Sequence, residues 1–174
     1  MFNLSRYFST LSLILIGLAA GLLGLLYREV SVHQMTALAE DRNVAMAQIF
    51  ENALGVPLSG LMAASVGKDA SMLQESDESL EMQASVTTLM RGMAVAKVKI
   101  YNRLTIFSTD PTQIGESSLD NPGFKTALSG TVISDLTHRN RMDTFEGVRS
   151  DIDLLASYIP ISSEGKAVEG VFEL

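Results

Sequence analysis

Residues 11–27, LSLILIGLAAGLLGLLY, hold no charged side chain, and with residues 8–10 the run reaches the roughly 20 residues a helix needs to cross about 30 Å of hydrocarbon. In lipid a helix is how a single segment satisfies its own backbone polar groups, so the run predicts a transmembrane helix over 8–27. A cleaved signal peptide has an apolar core of about 7 to 15 residues and a small-x-small cleavage site. Here the core is longer, and the stretch at its far end, Tyr27-Arg28-Glu29-Val30, is bulky and charged. An uncleaved anchor fits better. Arg6 on its near side predicts residues 1–7 in the cytoplasm and the bulk of the chain outside.

Beyond the anchor the apolar positions recur with a helical period. Leu38, Ala45, Ile49, Ala53 and Val56 fall on one face, and Phe50, Leu54, Leu58 and Leu61 on the adjoining one. This predicts a long membrane-proximal helix over 28–66, with a kink or break at Pro57, where the ladder loses a donor. Residues 65–76 read as a polar connection. A second helix is expected over 77–93, with Ser76 as N-cap and Asp77 and Glu78 at the positive end of its dipole. Gly92 weakens its end.

After residue 93 the period shifts to two. Residues 97–101 and 104–108 alternate as strands of a hairpin, with Asn102 as the turn residue that best tolerates positive φ. A Pro- and Gly-containing loop, 109–116, leads to a short helix over 124–128. Three further strands are expected over 131–137, 154–161 and 168–174. The resulting fold class is α+β, an antiparallel sheet of about five strands over residues 67–174, behind an N-terminal transmembrane helix.

Composition narrows the function. The formal charge of -7 and pI near 4.8 lack the basic stripe that phosphate neutralisation requires, so a nucleic-acid partner is not expected. No Cys is present, which suits an oxidising exterior in a protein built without disulfides. Catalytic motifs fail individually. Gly165-Lys166 has Pro160 where a phosphate loop needs its first glycine and Ala167 where it needs Ser or Thr, so it reads as a turn. His33 reads as a helix-surface histidine. Asp69, Glu75, Asp77, Glu78 and Glu81 read as a solvated acidic patch, and with two His and no Cys no zinc set is expected. No cofactor is implied.

Several segments in order, VKIYNRLTIFSTDPTQIGE, NPGFKTALSG, SDLTHR, LLASYIPI and VEGVFEL, together resemble the extracytoplasmic PAS-like domains known as PDC or single Cache domains. The helix DRNVAMAQIFENAL resembles the membrane-proximal helix of the same bacterial receptors, which carry histidine kinase or diguanylate cyclase modules. The turn at Asn102-Arg103 is shorter than in those relatives. The resemblance implies a periplasmic sensor on the inner membrane, with a second transmembrane helix and a cytoplasmic output module after residue 174.

The candidate binding constellation is His138, Arg139 and Arg141, followed by Arg149 and Tyr158, with Tyr101 as a pocket wall. Guanidinium forks match carboxylates bidentately and a tyrosine adds a directional hydroxyl, a chemistry suited to a small organic anion. The alternative is a cationic hairpin loop paired with Asp135, Asp143, Glu146, Asp151 and Asp153. Phe107 is a second wall candidate, although a strand aromatic is more often core. In the anchor, Gly17, Gly21 and Gly24 with Ala20 have the small-xxx-small spacing that lets helix backbones approach in lipid, predicting a homodimer face. The expected function is a non-catalytic stimulus sensor. The alternatives are an interaction module that dimerises without a small ligand and, third, a tethered enzyme.

Overall fold

The computed structural model describes residues 3–93, 95–144, 146–162 and 167–174. It comprises two compact units, Met1–Leu38 and Ala39–Leu174. Helix α1, Asn3–Ala64, begins in the first and ends in the second. Near its N-terminus it is long and apolar enough to cross a membrane, and Leu13, Ile16, Leu23 and Leu25 are exposed along it.

In the second unit α1 is followed by α2 (Ala70–Gln74), α3 (Asp77–Met90), β1 (Lys99–Asn102), β2 (Leu104–Ser108), a 3-10 turn (Pro111–Gln113), α4 (Pro122–Ala127), β3 (Ile133–Thr144), β4 (Gly147–Ile161) and β5 (Gly170–Glu173). The strands form one antiparallel open sheet in the order β2-β1-β5-β4-β3. The fold class is therefore α+β with five strands. The last strand enters the middle of the sheet, between β1 and β4.

Each face of the sheet has its own core. Phe50, Leu54 and Leu61 of α1 and Met82, Val86 and Met90 of α3 are buried with Val98, Ile100, Ile106, Phe107, Ile159 and Phe172. A smaller cluster on the opposite face joins Phe124 and Ala127 of α4 to Tyr101 and Val171, with Tyr158 beside it. Consecutive pairs on one strand, Ile100 and Tyr101 or Val171 and Phe172, divide between the clusters, as strand alternation requires. Phe107 is core. On α1 the adjoining face, Phe50, Leu54, Leu58 and Leu61, is the buried one, and Ala45, Ile49, Ala53 and Val56 remain exposed.

Several expected boundaries are corrected. Pro57 does not break α1, which continues to Ala64. The carbonyl that loses its donor belongs to Ala53, on the exposed face, where it is open to solvent, and buried Leu54, Leu58 and Leu61 hold the turns on either side. The connection before α3 contains α2, capped by Asp69, which accepts from the Met72 N–H at 2.9 Å, and held by buried Leu73. Ser76 caps α3 as expected, but α3 ends at Met90 because Arg91 is extended and Gly92 is left-handed, φ +79°.

In the first hairpin the positive φ falls on Arg103, at 63°, and not on Asn102. Asn102 pairs directly with Leu104, so one residue alone makes the turn, and its carbonyl is fixed by the Ser118 N–H at 3.0 Å. The largest departure concerns β3 and β4. They pair from Ile133↔Tyr158 to Thr144↔Gly147, so residues 137–141 lie in a strand and not in a hairpin loop. Both faces of that distal ribbon are solvated, and no apolar alternation marks it in the sequence. Gly165 and Lys166, read as a turn, lie outside the described residues.

Candidate functional site

On the α4 face of the sheet, β1, β5 and β4 place two tyrosines around one carboxylate. Tyr101 stands opposite Val171, and Glu173, two residues along β5, stands opposite Tyr158. The Tyr101 hydroxyl donates to the Glu173 carboxylate. The Tyr158 hydroxyl accepts from Asn121 Nδ2 at 3.2 Å.

Asn121 has a second task that fixes it in place. Its side-chain oxygen accepts from the Phe124 N–H at 3.1 Å, capping α4, whose first residue is Pro122. The short helix then lays Phe124 against Tyr101, ring centroids 5.7 Å apart and planes tilted by 59°. Gly123 lies directly over the Tyr158 ring: a Cβ there would sit 2.3 Å from ring carbons. Only glycine lets the helix backbone approach so closely.

Burial pushes the Tyr101 hydroxyl far above its ordinary range, and the adjacent Glu173 charge pushes it further. Tyr158 moves the same way, through burial first and the Glu173 charge second, against the opposing effect of the Asn121 hydrogen bond. Loss of a proton from either ring would place a phenolate beside a carboxylate in a poorly solvated position, so both remain neutral hydroxyls. A neutral hydroxyl can donate or accept a hydrogen bond without carrying charge.

The structure distributes the sequence-selected residues differently from the constellation their spacing suggested. Tyr101 and Tyr158 come together. Along β3, the residues sharing the Tyr158 face are Ile133, opposite it, then Asp135, Thr137, Arg139 and Arg141. His138 points to the other face, where Asp153 Oδ1 is 2.9 Å from Nδ1 and Asp151 Oδ1 is 3.5 Å from Nε2. Arg149 pairs with Glu146 at 2.7 Å. Arg139 and Arg141 are exposed and, among the described residues, make no ion pair. An open groove of about 490 Å³, lined in part by Met93, Val95, Ala96, Arg149, Ile152 and Asp153, lies beside the distal ribbon. It contains Arg149 but neither tyrosine.

Two site residues escape a sequence reading, Glu173 and Asn121. Glu173 stands 72 positions from Tyr101, and only the entry of β5 beside β1 joins them. For Asn121 the signal was present in Asn-Pro-Gly, a cap followed by proline at the first helical position. Within α1, a methyl added at Gly17, Gly21 or Gly24 would meet nothing within 4 Å, so that flank is open. No protein-family model matches the chain, and no curated protein matches it.

Proposed function

We propose that this chain is the stimulus-sensing region of a membrane-bound bacterial signalling receptor, anchored by residues 8–27 in the inner membrane with the α+β unit in the periplasm and working as a homodimer. The observation that carries the reading is the double role of α1. Its first part is apolar enough to cross a bilayer, and its later part supplies the floor of the sheet's main core through Phe50, Leu54 and Leu61. A change in the sheet therefore acts on the helix that leads from the membrane. The stimulus, a small organic anion, is met by the exposed guanidinium groups of Arg139 and Arg141, which share a face of the sheet with Tyr158. A ligand alters output only by preferring one of two conformations, and about 100-fold preference corresponds to roughly 2.7 kcal/mol.

The test uses the full chain in lipid nanodiscs. Cysteines placed singly at Ile49, Ala53 and Val56, on the exposed face of α1, report contact between copies by cross-linking, while a panel of carboxylates and amino acids is screened by thermal shift. The reading expects cross-linking at a helical period and at least one compound that both raises the melting temperature and changes the cross-linking pattern. Cross-linking that no compound alters, with no thermal shift, would instead support an interaction module without a small ligand.

A further inference from the structure

One edge of the sheet is β3, 12 residues and about 40 Å long, which pairs with β4 on one side and, among the described residues, with nothing on the other. The direction of its backbone groups follows from its neighbours. Ser157 of β4 exchanges both of its backbone hydrogen bonds with Leu174, at 3.0 and 3.1 Å. In an antiparallel ladder a residue that turns both groups to one neighbour shows neither to the other. Ser134, opposite Ser157, therefore directs its N–H and C=O outward, and by alternation so do Leu136 and His138. This is a row of open donors and acceptors on an extended strand.

The side chains along the edge restrict what can pair with it. On the Tyr158 face they run Asp135, Thr137, Arg139, Arg141, Asp143, two cations between two anions, none of them engaged in an ion pair among the described residues. On the other face His138 is already held by Asp151 and Asp153. Charges on an edge strand deter indiscriminate pairing and admit a complementary segment. A second copy of this chain is a poor occupant. Antiparallel pairing of two β3 strands about Asn140 would set Arg139 of each copy against Arg141 of the other, like charge against like.

We propose that the β3 edge docks an extended segment of a partner protein by strand addition, antiparallel to β3, with carboxylates at two alternate positions facing Arg139 and Arg141 and basic residues flanking them. The backbone row supplies the ladder, and the charge order sets register and direction.

The experiment measures fluorescence anisotropy of a labelled peptide, acetyl-Lys-Thr-Glu-Val-Glu-Val-Thr-Thr-Lys-amide, titrated with the full chain in nanodiscs. The proposal expects saturable binding, weakened about tenfold or more by the paired change Arg139→Glu and Arg141→Glu, because two opposite-charge contacts become like-charge ones. Leu136→Pro removes an outward N–H while leaving the β3–β4 ladder intact, as proline is tolerated on an edge whose donor faces solvent. It should abolish most of the binding, with an unchanged far-ultraviolet circular dichroism spectrum. If it unfolds the chain, the surface pair Arg139→Glu and Arg141→Glu still decides the matter. No binding by the wild type, or equal binding of a peptide with both glutamates replaced by lysine, would overturn the proposal. So would peptide displacement by self-association through the same edge, seen as a mass doubling that Leu136→Pro removes.

Discussion

Asn43 of α1 donates from Nδ2 to the hydroxyl of Ser157 on β4 at 2.8 Å, and the same amide lies 3.4 Å from the Leu155 carbonyl. Ser157 is fully buried, so this is a polar bond between helix and sheet inside an otherwise apolar contact. The Ser157 hydroxyl also meets that of Ser134 at 2.8 Å, and its backbone pairs with Leu174. One side chain of the helix thus touches the point where β3, β4 and the end of the chain converge. Asn43→Leu should cost about 1 to 3 kcal/mol in urea unfolding of the detergent-solubilised chain, since it removes the donor and leaves the Leu155 carbonyl poorly satisfied. An unchanged midpoint would show that water replaces the amide without loss.

The tyrosine pair separates two kinds of hydrogen bond. Tyr101→Phe leaves the half-buried Glu173 carboxylate without its donor and should cost about 1.5 to 3 kcal/mol. Tyr158→Phe removes a neutral contact from Asn121, which keeps its capping role, and should cost about 1 kcal/mol or less. Thermal unfolding of the two variants side by side gives the order; a greater loss from Tyr158→Phe would reverse this assignment.

Gly123→Ala tests the close packing of α4. The added methyl collides with the Tyr158 ring near its base, where rotation gives little relief, so the variant should lose about 1 to 3 kcal/mol. Gly130→Ala is not an equivalent control, because φ there is +88°. Gly55→Ala is the fair comparison: it meets nothing within 4 Å in a helix and should stabilise by about 0.5 to 1 kcal/mol.

The two faces of α1 make opposite predictions. Leu54→Ala empties a fully buried position and should cost about 2 to 5 kcal/mol. Ile49→Ala lies on the exposed face and should leave unfolding of the dilute chain within about 0.5 kcal/mol, while lowering self-association in nanodiscs. Equal self-association of Ile49→Ala and wild type would remove this face from the proposed dimer contact.

Asp110 gives a pH dependence. Its carboxylate accepts from the Thr112 hydroxyl at 2.6 Å and from Lys97 Nζ at 3.2 Å, and these hold it below the ordinary aspartate value of 3.8, the Thr112 bond most strongly. A carboxyl lowered on folding binds fewer protons in the native state, so its contribution is present above 3.8 and is lost as pH falls through the lower native value. Because the group is partly exposed, solvent screening should keep the effect within about 1 kcal/mol. The difference in melting temperature between wild type and Asp110→Asn should thus be visible at pH 6 and shrink as pH falls below 3.8. A difference that persists unchanged in acid would point to lost packing.

Near neighbours decided what was legible in the sequence. The apolar run before Arg28, the Ser76 cap of α3 and the period-two stretches of the first hairpin are each set by residues within a few positions, where periodicity and capping chemistry act directly. The distal β3–β4 ribbon was not legible, because both its faces meet water and its long ladder is built from backbone groups that leave no mark on side-chain pattern. The same holds for the site. Alternation along β3 separates His138 from Arg139 by a sheet's thickness although they adjoin in sequence, while insertion of β5 between β1 and β4 brings Glu173 to Tyr101 across 72 positions. Strand pairing is decided by which distant backbones find one another while each face of the sheet buries its own core, and that choice belongs to the whole fold.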